Sequence, residues 1–152
     1  MIRIITLTHD YRAPPRVVWN IATDMDAYRT AMGRLIAFDG LPSGTIQTGQ
    51  RIDVRVSLFG ILPWQDYTMT VETCDHDAMT FQSDEHGAGI NSWRHHLRVI
   101  ETSQGCRLID TVEIEAGWKT PFFAAWARIV YQARHKPRLQ MLTERGWPGD
   151  AS

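Results

Sequence analysis

A chain of 152 residues with 43% hydrophobic and 22% charged residues fits one ordinary globular domain, which would bury roughly 68–70% of its unfolded surface. Its formal charge of −1 supplies no bulk attraction to nucleic acid or anionic lipid, and no apolar run reaches the roughly 18 residues needed to span a bilayer. Two cysteines, Cys74 and Cys106, are too few for a disulfide framework, and the alternating N-terminus lacks the apolar core of a secretory signal, so the expected compartment is the cytoplasm.

Ile2 to Asp10 is rich in β-branched residues and reads as a first strand. Ala13-Pro14-Pro15 ends it. Pro15 suits the first turn of a helix in which Val18, Ile21 and Ala22 recur at helical spacing, with Trp19 beside them. Asp24 or Asp26 can cap a second short helix carrying Ala27, Tyr28 and Ala31.

Period-two patterning follows. Leu35 to Leu41 is a weak strand closed by Pro42-Ser43-Gly44. In Arg51 to Leu58, Ile52, Val54, Val56 and Leu58 share one face, and Arg51, Asp53, Arg55 and Ser57 the other. Gln65 to Thr73 turns Tyr67, Met69, Val71 and Thr73 inward, and Met79, Phe81, Ser83 and Glu85 continue that face. After a turn at His86 to Gly89, Trp93, His95, Leu97 and Val99 alternate with Arg94, His96, Arg98 and Ile100. Ser103-Gln104-Gly105 turns the chain again, and Leu108, Asp110, Val112 and Ile114 alternate with Arg107, Ile109, Thr111 and Glu113. Short connections between consecutive strands favour an antiparallel meander.

The last element begins near Pro121, with Phe122, Trp126, Ile129, Val130 and Ala133 as its apolar stripe. Pro137 should kink this helix, since an interior proline costs about 3 kcal/mol. Arg128, Arg134, Lys136, Arg138 and Arg145 make it basic; a solvated face and an attraction to anionic lipid both account for that. A single domain over residues 1–146, with a C-terminal tail at 147–152, is expected.

The order strand, two short helices, about six strands and long helix resembles the helix-grip plan of the START-like (SRPBCC) superfamily, in particular its polyketide cyclase/dehydratase and lipid-transport branch. The likeness is carried by Ala13-Pro14-Pro15-Arg16-Val17-Val18-Trp19, by Thr23-Asp24 through Tyr28, by Trp93-Arg94-His95-His96-Leu97 and by Leu108-Ile109-Asp110-Thr111-Val112-Glu113. It implies an α+β fold in which a curved antiparallel sheet of six to seven strands grips the C-terminal helix around a cavity. The segment Arg29-Thr30-Ala31-Met32 departs from the family, where a tryptophan commonly follows the tyrosine, so the cavity end under the short helices is expected to differ in shape.

His95 and Asp110 are the polar residues on otherwise apolar faces. A two-residue turn at Ser103-Gln104 sets Leu97 opposite Asp110 and Val112 opposite His95, which makes the polar pair diagonal neighbours. A carboxylate beside an imidazole serves either as mutual satisfaction of buried polar groups or as a general acid/base able to enolise a ketone. Tyr67 offers a hydroxyl to a bound carbonyl or to the rim, and Glu85 reads as a solvated mouth residue. His95 and His96 point to opposite faces of a strand, no zinc-ligand spacing occurs, and no nucleotide or cofactor motif is present; neither a metal nor a cofactor is expected.

Three functions compete. The first is binding of a hydrophobic small molecule, such as a lipid, quinone or polyketide. Its expected walls are Val54, Val56, Tyr67, Met69, Phe81 and Trp93, with His95, Asp110 and Val112, against Trp126, Ile129 and Val130. The second is a cofactor-independent cyclase or dehydratase with His95 and Asp110 as its catalytic pair. The third is a partner or peripheral membrane contact through the apolar tip Phe59-Gly60-Ile61-Leu62-Pro63-Trp64, for which packing against the C-terminal helix is the plainer account. Nucleic acid is not an expected partner.

Overall fold

Ten residues of alternating burial, Ile2–Tyr11, form strand β1 at one edge of the sheet in the computed structural model, which describes residues 1–148. Residues 149–152 of the expected tail lie outside the described residues. Two short helices follow, α1 (Pro15–Ala22) and α2 (Met25–Met32). Pro15 starts α1, and of the two candidate aspartates it is Asp24 that caps α2, its carboxylate accepting from the Asp26 amide at 3.0 Å.

Six more strands complete the sheet: β2 (Ile36–Asp39), β3 (Arg51–Leu58), β4 (Gln65–Asp75), β5 (Thr80–Gly87), β6 (Ile90–Thr102) and β7 (Gly105–Glu115). All neighbours are antiparallel, in the order β1-β7-β6-β5-β4-β3-β2. The meander therefore runs from β2 to β7, and β1 returns to pair with β7. The weak strand at Leu35–Leu41 shortens to Ile36–Asp39 at the far edge.

The turn between β6 and β7 has the expected register: Thr102 faces Gly105, Leu97 faces Asp110 and His95 faces Val112. Strand β4 departs from a simple alternation. A bulge between Val71 and Thr73 inserts one residue, so Thr73 is exposed and Cys74 takes the inward position expected of it. Ser57, assigned by parity to the outer face, is buried next to Val56, and its hydroxyl donates to the Leu62 carbonyl at 2.6 Å.

The C-terminal helical region is broken in two, α3 (Thr120–Ala133) and α4 (His135–Glu144). The interruption falls at Arg134 and not at Pro137. A proline ring collides with the carbonyl four residues earlier, here that of Ala133, which is the last residue of α3. Pro137 then sits in the first turn of α4, where its missing amide proton leaves no bond unmade.

The inward stripe of α3 is Phe123, Ala127, Val130 and Tyr131, which shares one apolar cluster with Ile5, Leu7, Val112 and Ile114 of the sheet. Phe122 and Ile129 are instead 62% and 51% exposed, so the expected stripe is rotated by about one residue. Met141 and Leu142 of α4 join Trp19 of α1 and Val99 and Leu108 of the sheet in a second cluster, and Met25 of α2 joins Ile52, Val54, Val56 and Met69 in a third. Among the described residues, no helix is long and apolar enough to cross a membrane.

Candidate functional site

The inward faces of the strands set up a grid of side chains that mixes apolar and polar groups. Along one cross-strand row lie Val71, Ser83, His95 and Val112; along the next lie Met69, Glu85 and Trp93. The sheet curls these rows around two adjoining hollows. The inner one has a volume of about 60 Å³ and the outer one about 270 Å³. Tyr28, Glu85, Tyr131 and Arg134 line both and form the waist between them.

The outer chamber is walled by apolar and aromatic groups, among them Phe38, Val56, Trp93, Phe123, Trp126 and Val130. Its rim includes Phe122, and the ring of Trp126 is met edge-on by Phe59 at 5.6 Å. The 59–64 tip thus touches α3 through Phe59, whereas Ile61 at its apex is 83% exposed. Phe59 adopts a positive φ of 59°, a conformation that is strained for a bulky side chain.

The inner chamber is bordered by His95, with Asp110 behind it. The Nε2 of His95 lies 2.6 Å from the Oδ1 of Asp110. Burial by itself pushes the Asp110 carboxyl up, but the His95 hydrogen bond, with the charges of His95, Arg138 and Arg134, outweighs it and holds the group below the usual carboxylate range. An ionised carboxylate only accepts, so Nε2 carries the proton. Asp110 is completely buried between Leu97 of β6 and Leu7 of β1, and its Oδ2 has no partner. The His95 ring is packed edge-on against Tyr131 at 4.9 Å and Phe81 at 5.5 Å.

Glu85 is not the solvated mouth residue its place near a strand end suggested. It is half-buried at the waist, where the Tyr67 hydroxyl donates to Oε2 at 2.7 Å and the Ser83 hydroxyl to Oε1 at 2.8 Å. Burial, then the Glu85 charge and hydrogen bond, push the Tyr67 phenol far up, so it stays a neutral donor. Tyr131 is pushed up by burial as well, and its hydroxyl receives the indole proton of Trp93 at 3.3 Å.

Two arginines complete the site. Arg134 and Arg138 are only 8% and 6% exposed, and both line the inner chamber. The sequence pattern sets them on an exposed face, solvated or turned to anionic lipid, and the structure buries both. The corrected stripe explains the error: Phe123, Ala127, Val130 and Tyr131, continued at three- and four-residue steps, lands on Arg134 and Arg138. The Arg134 guanidinium lies over the Tyr131 ring at 4.2 Å and the Tyr28 ring at 4.9 Å.

Of the residues expected to line a cavity, Met69, Phe81 and His95 border the inner chamber, and Val56, Tyr67, Trp93, Trp126 and Val130 the outer. Val54 and Val112 are sealed in the core, Asp110 lies behind His95, and Ile129 faces outward. Sequence reasoning missed Tyr28, Tyr131, Arg134 and Arg138 as wall residues.

No curated protein sequence matches the chain. Solved structures match its fold. The Zhui aromatase/cyclase from Streptomyces sp. R1128 superposes with a TM-score of 0.72 at 16% identity, over 95% of this chain and 96% of that one. Protein CV1439 from Chromobacterium violaceum gives 0.69 at 14% identity over 89% and 94%, and Ara h 8.0201 gives 0.68 at 8% identity over 92% and 99%. At such identities the likeness establishes the fold alone, a helix-grip fold: a curled antiparallel sheet, two short helices after its first strand and a C-terminal helix. A family model matches residues 10–142, and the chain belongs to that family, the domain of unknown function DUF8410.

Proposed function

We propose that this protein binds a hydrophobic small molecule in the chambered hollow between the sheet and helix α3. The observation that carries the reading is the outer chamber: about 270 Å³ walled largely by apolar and aromatic side chains, beside a few fixed polar groups at the waist. Such a composition suits a lipid, a quinone, a polyketide or a molecule of similar character. The exposed Phe59, which meets Trp126 of the chamber wall, would give an apolar guest, or a membrane surface delivering it, a first contact. The two free, buried cysteines fit a reducing compartment, and we assign the protein to the cytoplasm on that ground.

The test uses the neutral dye N-phenyl-1-naphthylamine. Its fluorescence should rise on mixing with wild-type protein, and Ile90→Trp, which fills the outer chamber from its wall, should lower the affinity about tenfold or more. A dye that fails to bind, or that binds the filled variant equally well, overturns the reading.

A second reading is supported by His95 on the inner wall with Nε2 held by Asp110. The ring's other nitrogen could then take a proton from the carbon beside a bound ketone, making the protein a cofactor-independent cyclase or dehydratase. Deuterium exchange into the methyl group of 2-acetylnaphthalene should be faster with wild type than with folded His95→Gln. Equal rates remove the imidazole from any such chemistry.

A further inference from the structure

We propose that the guest is an acidic amphiphile, its apolar body in the outer chamber and its carboxylate-class head in the inner chamber between Arg134 and Arg138. The inference rests on the ligand-binding reading above and names the chemistry of the ligand.

Its foundation is a mismatch between donors and acceptors. Arg134 and Arg138 are more than nine-tenths buried and line the inner chamber, and the Nε of Arg134 and the Nη1 of Arg138 have no hydrogen-bond partner. Among the described residues, no carboxylate comes within 4.0 Å of either guanidinium. Charged groups are rarely buried unless paired, because taking each out of water is costly.

The carboxylates of the site do not supply the missing partners. Asp110 directs Oδ1 at His95, and both oxygens of Glu85 are taken by the Tyr67 and Ser83 hydroxyls. Asp110 and Glu85 balance the arginines through space without meeting their N–H groups. The field is balanced, and the Tyr11 hydroxyl takes one donor of Arg138, yet Arg134 Nε and Arg138 Nη1 stay idle. A guanidinium presents its donors in a planar fork that a carboxylate fills with two parallel bonds.

Orientation and size agree with this assignment. The guanidinium of Arg134 is buried against the Tyr131 and Tyr28 rings, so much of its side-chain freedom is already lost before binding. Arg138 borders the inner chamber and not the outer, which places the anion beyond the Glu85 waist. The inner chamber, at about 60 Å³, suits a head group, and the outer, at about 270 Å³, suits an apolar body.

The experiment compares decanoate, decanol and decylamine by tryptophan fluorescence near neutral pH, with N-phenyl-1-naphthylamine uptake measured in parallel. Decanoate should bind about tenfold or more tighter than decanol, the range of a hydrogen bond to a charged group, and decylamine weakest. Arg138→Met, with Arg134 still in place, should cut the preference for decanoate over decanol severalfold; an undiminished preference overturns the head-group assignment. If that variant fails to fold, Arg138→Lys, which keeps the charge and loses the fork, should show a reduced preference. Decanol binding as tightly as decanoate overturns the head-group assignment and leaves the cavity reading standing. So does dye uptake with none of the three binding. Absence of both dye and amphiphile binding overturns the cavity reading and this inference with it.

Discussion

Replacing His95 with alanine takes the hydrogen-bond partner from a carboxylate that is wholly buried between two leucines. Leaving a buried acceptor without its donor typically costs about 1–3 kcal/mol, and more when the acceptor is charged, because the carboxylate has no water to return to. Asp110 is an ionised carboxylate but keeps the favourable field of Arg138 and Arg134, which places this case at about 3 kcal/mol. The edge contacts of the imidazole with Phe81 and Tyr131 are lost as well. For a chain of this length, 3 kcal/mol corresponds to a fall in Tm of about 6–12 °C. Urea unfolding followed by tryptophan fluorescence would give the free energies of His95→Ala, Asp110→Ala and the double variant. The double variant should be no less stable than the worse single one. The paired apolar replacement, His95→Phe with Asp110→Leu, should be neutral or stabilising. Single losses below about 1 kcal/mol, or losses that add within about 0.5 kcal/mol, would refute the coupling of this pair.

Gly105→Ala should destabilise the fold by more than the roughly 1–3 kcal/mol of a strained backbone, because at φ 148° its new methyl group would strike the Tyr11 carbonyl and Ala13 amide; a melt unchanged from wild type would contradict the close packing of the β6–β7 turn on β1. His9 and His135 stack at 4.6 Å, and burial, with Arg138 contributing to both, lowers their basicity below the ordinary 6.5. The folded state therefore binds fewer protons than the unfolded one, and stability should fall as pH drops through 6.5 until it passes below the folded values. Urea midpoints that stay level in wild type over that window, or a slope unchanged in His9→Leu, would contradict it. Cys106, pushed up to about 11 by burial and then by Asp10, should resist thiol reagents at mildly alkaline pH until the protein unfolds; prompt labelling of the native chain would refute its burial.

The sheet was largely legible because period-two alternation and short turns determine register with few alternatives. The Ser103-Gln104 turn alone suffices to bring His95 and Asp110 into diagonal contact. Parity arguments fail where a residue is inserted, and nothing in Val71-Glu72-Thr73-Cys74 distinguishes a bulge from a regular strand. The C-terminal helix was ambiguous for another reason. From Phe122 to Val130 it is apolar on nearly every side, so two overlapping stripes satisfy helical spacing, and only the sheet's shape selects Phe123 and Tyr131 over Phe122 and Ile129. That choice concealed the arginines, since buried charge is the exception that a hydrophobic pattern discards. Glu85 was misread similarly: its hydroxyl partners come from a neighbouring strand and from two residues away on its own.

The most direct test of the central claim is site-resolved. Methyl NMR spectra of the protein titrated with N-phenyl-1-naphthylamine should show shifts concentrated at Ile36, Val56, Leu58, Ile90 and Val130, which line the outer chamber, with Val18 and Val99 in the sealed core hardly moved. Shifts confined to Ile61, Leu62 and Ile129 on the outside, or none at all, would contradict a chamber that admits a guest.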